Sequence, residues 1–118
     1  MAFRFRDFPI YQDIRNFVKE TYQLCSKLPK QEQFELASQL RRAATSILLN
    51  LAEGSMKRSD AEFNRFLMIS VGSVSEIVAI LDICFDLKHI DTSTHQQFVL
   101  KCESIAERLY GFSKKLKS

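Results

Sequence analysis

The sequence predicts an all-α protein: an up-down-up-down antiparallel four-helix bundle in one domain spanning residues 1–118. The chain has only three Gly and two Pro, which is little turn material for a β-rich fold. Apolar residues recur at steps of three and four in four long segments, as on one face of a helix. Short connections between long helices favour antiparallel neighbours.

The helix ends are predicted from capping signals. Asp7 is a candidate N-cap for the first helix, and Pro29 ends that helix because proline disfavours α geometry in the preceding residue. Gly54 is the expected C-cap of the second helix. Ser59 and Glu62 have the spacing of a capping box for the third. The helices are therefore expected at about 9–27, 31–53, 59–87 and 93–116.

The predicted core consists of one apolar face on each helix. On the first two helices the inner residues are Ile14, Phe17, Val18, Thr21, Cys25, Leu28, Ala37, Leu40, Ala44, Ile47 and Leu51. On the last two, which follow a heptad spacing, they are Phe63, Leu67, Ser70, Val74, Ile77, Leu81, Cys84, Phe98, Cys102, Ile105, Leu109, Phe112 and Leu116.

The second and third helices are apolar or small on more than one side. No charge occurs in Ala43–Ala52 or in Phe66–Ser75. The third helix has a second stripe, which consists of Phe66, Ile69, Ser73, Glu76, Ile80 and Ile83. A single bundle buries one stripe per helix, so we expect the surplus to lie against other copies of the chain. The alternative is one wide core that absorbs all of it.

Several residues on these two helices are assigned to helix or subunit contacts. Arg42 and Glu76 are expected to form a partly buried ion pair, which would fix position more than it stabilises. Ser46 and Asn50 are expected to form hydrogen bonds at a helix contact, the alternative being a solvated polar patch. The full set is Arg42, Ser46, Asn50, Glu53, Gly72, Ser73 and Glu76.

Basic residues are expected to collect at one end of the bundle. The net charge is only +3, which is compatible with nucleic acid but does not imply it. The turn after the second helix and the end of the fourth should lie together, and a ring of copies would repeat them as a basic rim. The predicted phosphate contacts are Arg41, Lys57, Arg58, Lys114, Lys115 and Lys117. The alternative is ordinary solubility charge.

Cofactor and catalytic motifs are not evident in the sequence. Cys25, Cys84 and Cys102 are widely spaced and without a CxxC, as expected of buried thiols in a reducing compartment. His89 and His95 lack further ligands at metal-binding spacing. No catalytic triad pattern, P-loop or Rossmann fingerprint occurs. We therefore expect no enzyme activity, cofactor or metal.

Neither a signal peptide nor a membrane-spanning run is evident. The first residues contain Arg and Asp without an apolar core, and the longest uncharged runs are about ten residues, too short to cross a bilayer. We expect a cytoplasmic protein that does not contact membranes.

Four segments carry a resemblance to a known family. "LPKQE", "QLRRAATSILLNLAEG", "KRSDAEFNRFL" and "GSVSE" resemble the four-helix-bundle proteins of the 23S ribosomal RNA intervening-sequence family. Leu51 departs conservatively from the usual Ile. The matching positions are Pro29, Gln39–Ala43, Ser46, Ile47, Asn50, Ala52, Glu53, Gly54, Ser59, Glu62, Phe63, Gly72, Ser73 and Glu76.

The resemblance implies a bacterial protein that assembles as a ring-like homopentamer and has no established enzymatic activity. Related proteins are accessory subunits of diversity-generating retroelements, where a basic barrel binds nucleic acid and the reverse transcriptase. The expected partners are therefore further copies of the chain, an RNA or DNA backbone, and a reverse transcriptase. A protein–protein scaffold without a nucleic-acid role is the alternative, and an enzyme with an unrecognised site is a third.

Overall fold

The structure, a computed structural model, describes residues 1–116. This part of the chain contains four α-helices, two short 3₁₀ helices and no strand. The α-helices are α1 (Pro9–Ser26), α2 (Leu36–Ser55), α3 (Asp60–Asp86) and α4 (Thr92–Lys114), and the 3₁₀ helices are Arg4–Asp7 and Lys30–Glu32. The prediction of an all-α chain with four helices is confirmed. Lys117 lies outside the described residues.

The helices pack as neighbours in chain order. The contact between α2 and α3 is the most extensive, and the contact between α1 and α4 is the slightest. Phe63, near the start of α3, packs on Phe112, near the end of α4, with 5.4 Å between ring centroids. The Ser113 hydroxyl also hydrogen-bonds Asn64. These contacts bring the α2–α3 turn and the end of α4 to the same end of the bundle.

The predicted inner faces form the core. All seven inner residues predicted on α3 are buried, from Phe63 to Cys84. On α1 only Val18 is partly exposed. Phe112, near the end of α4, and Leu116, two residues after it, are half-buried because they lie at the end of the bundle.

The second stripe of α3 is divided between the inside and the outside. Phe66, Ser73 and Ile80 are buried, whereas Ile69 is 40% exposed and Ile83 is 45% exposed. Part of the predicted apolar surplus is thus absorbed by the chain's own core, and the rest remains at the surface.

The second helix begins at Leu36 rather than at residue 31. Pro29 is extended, and residues Lys30–Glu32 form a 3₁₀ turn instead of the first turn of α2. The Gln33 amide donates hydrogen bonds to the carbonyls of Cys25 (2.9 Å) and Leu28 (3.0 Å). The Gln33 side chain therefore fastens this loop to two carbonyls at and just after the end of α1, a role that helical periodicity does not reveal.

Two predicted caps are wrong and one is confirmed. Asp7 lies in a 3₁₀ turn, and Phe8 is the N-cap of α1, which begins with Pro9 and has no side-chain cap. Gly54 lies inside α2, whose C-cap is Met56. The Ser59 hydroxyl accepts a hydrogen bond from the Glu62 N–H at 3.1 Å, as predicted.

The three cysteines are buried free thiols, as predicted. Burial raises the pKa of Cys84 to about 11 and that of Cys102 to about 12. It also raises the pKa of Cys25, although the Arg41 guanidinium opposes that shift. Thiols held in the protonated form behave as small apolar core residues.

One helix, α3, is long and apolar enough to cross a membrane by length and composition, with a mean hydropathy of 1.9 in its most apolar window. Half of that window is buried inside the bundle. A core helix has the same composition, so this is weak evidence for a membrane span. The expectation of no membrane contact stays a prediction.

Gly54 is required by close packing rather than by backbone conformation. A Cβ added there would lie 2.6 Å from the Phe66 Cβ and 3.0 Å from the Phe63 Cδ1. The Phe66 Cβ is fixed to its helix backbone, so it can give way only if α2 and α3 separate. Gly54 therefore sets the distance between the two helices.

We predict that Gly54→Ala lowers the free energy of unfolding by about 1–3 kcal/mol, because the overpacking cost exceeds the gain in helix propensity of about 1 kcal/mol. Gly111→Ala is the matched control, since Gly111 lies inside α4 and nothing lies within 4 Å of a Cβ at that position. It should raise stability by about 0.5–1 kcal/mol. Urea unfolding followed by circular dichroism measures both, and equal effects would contradict this account of Gly54.

Candidate nucleic-acid interface

Four of the predicted phosphate contacts lie at one end of the bundle. Lys57 and Arg58 are exposed in the α2–α3 turn, and Lys114 and Lys115 are exposed at the end of α4. We call these four residues the basic end. The packing of α3 on the last turns of α4 brings the two pairs to the same end of the bundle.

Most of the basic end has no side-chain partner among residues 1–116. Lys57 lies 3.7 Å from the Glu53 carboxylate and 5.1 Å from the centre of the Phe66 ring. The side chains of Arg58, Lys114 and Lys115 form no ion pair or hydrogen bond within residues 1–116. Exposed, unpaired cations in a group are the arrangement that attracts a phosphate backbone.

Arg41 is not part of the basic end. Its Nη2 donates to the Gln33 carbonyl at 3.0 Å, and its side chain lies beside Cys25. Arg41 is fourteen residues from the last residue of α2, roughly 20 Å along the helix axis. The structure thus separates Arg41 from the other predicted phosphate contacts and gives it a bond that stabilises the α1–α2 loop.

Arg4 also has a structural position, which the sequence did not indicate. Its Nε and Nη2 donate to the Ser55 carbonyl at 3.1 and 2.8 Å. The guanidinium lies 5.9 Å from the centre of the Phe8 ring and 5.6 Å from that of Phe63. Arg4 therefore satisfies a free carbonyl at the end of α2 and fastens the N-terminal turn to the bundle.

A polar chain crosses the contact between α2 and α3. The Ser73 hydroxyl donates to the Ser46 hydroxyl at 2.8 Å. The Asn50 amide donates to the Ser46 carbonyl and hydroxyl at 2.9 and 3.0 Å. All three residues are at least partly buried. The Ser73–Ser46 hydrogen bond thus joins α3 to α2, and Asn50 bonds to Ser46 from one turn further along α2.

The predicted ion pair between Arg42 and Glu76 does not form within residues 1–116, where both side chains are exposed and unpaired. At this contact α2 and α3 are joined instead by the hydrogen bond between the Ser73 and Ser46 hydroxyls. The Glu53 carboxylate, also exposed, lies beside Lys57 instead.

An apolar stripe remains on the outside of α3. Residues at steps of three and four, Ile69, Gly72, Glu76, Ala79 and Ile83, are all exposed, and Glu76 is the only charged one. We call them the outer α3 stripe. Gly72 leaves room for the backbone of another molecule, because nothing lies within 4 Å of a Cβ there.

Both histidines pair with carboxylates. His89 Nε2 lies 3.1 Å from Glu32 Oε2, and His95 Nε2 lies 2.8 Å from Asp82 Oδ1. Across residues 1–116, no group of three His, Cys, Asp or Glu side chains is placed to hold a metal ion. The histidines therefore link loops and helix ends in this structure.

Comparison with known proteins identifies the family. The family model described as 23S rRNA-intervening sequence protein matches residues 6–111. The chain belongs to this family. No curated protein matches it. The match includes Lys57, Arg58 and the outer α3 stripe, and it ends three residues before Lys114.

We predict that Arg4→Ala lowers the free energy of unfolding by about 1–2 kcal/mol, because two charge-assisted hydrogen bonds to Ser55 are lost. Arg6→Ala is the matched control. Arg6 is exposed, and within residues 1–116 only its backbone is bonded, to Phe3 and Gln12, so stability should change by less than about 0.5 kcal/mol. Thermal unfolding of both variants measures this, and equal losses would mean that Arg4 acts only as surface charge.

Proposed function

We propose that this member of the 23S rRNA-intervening sequence family is a non-enzymatic, up-down-up-down bundle that assembles as a ring-like homopentamer. In this proposal its basic end binds an RNA or DNA backbone. The single observation that carries the nucleic-acid function is the grouping of Arg58, Lys114 and Lys115, all exposed and unpaired within residues 1–116.

The topology is supported by contacts along the helices. The Ser70 hydroxyl of α3 donates to the Ile47 carbonyl of α2 at 2.9 Å, and Phe66 contacts Gly54. Later residues of α3 thus meet earlier residues of α2, which is the register of an antiparallel pair. On α4, Arg108 contacts Asp13 and Lys101 contacts Glu20, which gives α1 and α4 the same relation.

Self-association is supported by the outer α3 stripe. Exposed isoleucines that flank a glycine on an almost uncharged face are suited to close packing against another copy. Repeating the chain around a ring would place each basic end at an equivalent position. The combined positive surface would bind phosphates with little sequence preference and with strong dependence on salt.

A nucleic-acid-processing protein, such as a reverse transcriptase, is a further partner for the same basic end, and a cytoplasmic location fits the buried thiols. The same outer stripe also fits the second candidate, a protein–protein scaffold without a nucleic-acid role. Binding measurements at low salt separate the two candidates.

The combined variant Ile69→Glu, Ile83→Glu should dissociate the assembly into folded monomers, because charges would enter an apolar contact. Leu100→Glu is the matched control: Leu100 is 64% exposed on α4, away from the stripe. Light scattering gives the molar mass of each variant. A wild-type protein that is a folded monomer at low concentration would refute the assembly and the shared basic rim.

The combined variant Lys57→Ala, Arg58→Ala should weaken binding to single-stranded RNA about tenfold or more at low salt, because phosphate contacts are removed. The slope of log affinity against log salt should also fall, by about 0.7 per lost contact. The control is Lys27→Ala, Lys30→Ala, which removes two exposed lysines near the α1–α2 connection. Absence of wild-type binding at low salt would favour the scaffold.

A further inference from the structure

A cleft lies beside the basic end, between the start of α1 and the end of α4. Its volume is about 590 Å³, and it is open on one side. The walls include Phe8, Pro9 and Phe112, and Arg108 and Lys115 are also part of the lining. We call it the aromatic cleft.

The aromatic cleft exists because α1 and α4 pack loosely. Phe8 and Phe112 pack directly on each other and line the cleft together, with ring centroids 5.1 Å apart and the planes inclined by 56°. Both rings are only half-buried. Gly111 lines the same cleft, and a Cβ at that position would meet nothing within 4 Å. The cleft therefore has aromatic walls, and it stays open on the α4 side because Gly111 has no side chain.

Two cations give the cleft its charge preference. Lys115 is exposed and its side chain is unpaired within residues 1–116. Arg108 donates through Nη1 to the Asp13 carboxylate at 2.5 Å and has no other polar partner in the described residues. A ligand that suits this cleft has a planar apolar part, which can pack on the aromatic walls, and negative charges on either side, which can contact the two cations.

We propose that the aromatic cleft receives one unpaired nucleobase of a single-stranded nucleic acid, while Lys115 and Arg108 contact the flanking phosphates. This inference rests on the proposed nucleic-acid function and adds a preference for single strands. Bases stack on aromatic side chains with little regard to sequence, whereas a duplex keeps its bases paired and out of reach. Lys115 belongs to both the basic end and the cleft, so one strand can occupy both.

The test compares two strands that carry the same phosphates. One is an oligothymidylate of about ten nucleotides, and the other is an abasic strand of equal length. The wild-type full-length protein should bind the thymidylate strand on the order of tenfold more tightly, because stacking adds to the phosphate contacts.

Gly111→Leu should remove that difference. The new side chain fills the cleft without a clash, so the variant should bind both strands as the wild type binds the abasic strand. Gly111→Ala is the matched control: it makes the same gain in helix propensity but leaves the cleft open, and it should retain the preference. Circular dichroism verifies folding, and Phe112→Leu provides a second variant that removes one stacking ring.

Equal affinity of the wild type for the two strands would overturn the cleft proposal, as would a preference that persists in both Gly111→Leu and Phe112→Leu. In either case salt-sensitive binding of the abasic strand would leave the proposed function intact. If neither strand binds at low salt, the nucleic-acid function and the cleft proposal both fail.

Discussion

The close contact between α2 and α3 is the constraint on which the rest of the structure depends. It is possible because small residues face each other along the two helices. Gly54 admits Phe66 at one end, and the hydroxyls of Ser46 and Ser73 meet further along, 2.8 Å apart. The buried Ser70 hydroxyl donates a hydrogen bond to the Ile47 carbonyl on α2, so the close approach does not leave this hydroxyl buried without a partner. A large side chain in place of Gly54, Ser46 or Ser73 would force the helices apart.

Tight packing on one side of the bundle is accompanied by loose packing on the other. Where α1 faces α4, ion pairs bridge the two helices, with Lys101 Nζ 2.8 Å from the Glu20 carboxylate. Long polar side chains keep backbones apart, and clefts form between them. The molecule therefore has two kinds of surface: a nearly uncharged stripe outside the tight pair and open clefts along the loose pair. These surfaces suit different ligands, another protein copy for the first and a flexible ligand for the second.

Helical periodicity in the sequence predicted which residues are buried, but it did not predict contacts between residues that are far apart in the sequence. Every inner residue predicted on α3 is buried, because burial follows directly from position on a helix. Gly54 was assigned to a cap, since a glycine near a helix end has the same sequence signal whether it ends the helix or admits a neighbour. Gln33 and Arg4 bond to carbonyls eight or more residues away, at Cys25 and Ser55. No local pattern reports such contacts.

The same distinction applies to the candidate site, where residue type alone does not define function. Arg4, Arg41 and Arg58 are equivalent in a count of basic residues, yet the first two are bonded to backbone carbonyls and the third is unpaired within residues 1–116. The basic end brings together three cations that are unpaired within residues 1–116, Arg58, Lys114 and Lys115, so a net charge of +3 understates the local field there. Arg4 and Arg41 cannot move to a ligand without a loss of stability, because their guanidinium groups bond to backbone carbonyls. The cations most available to a phosphate backbone are those whose side chains the fold leaves unpaired.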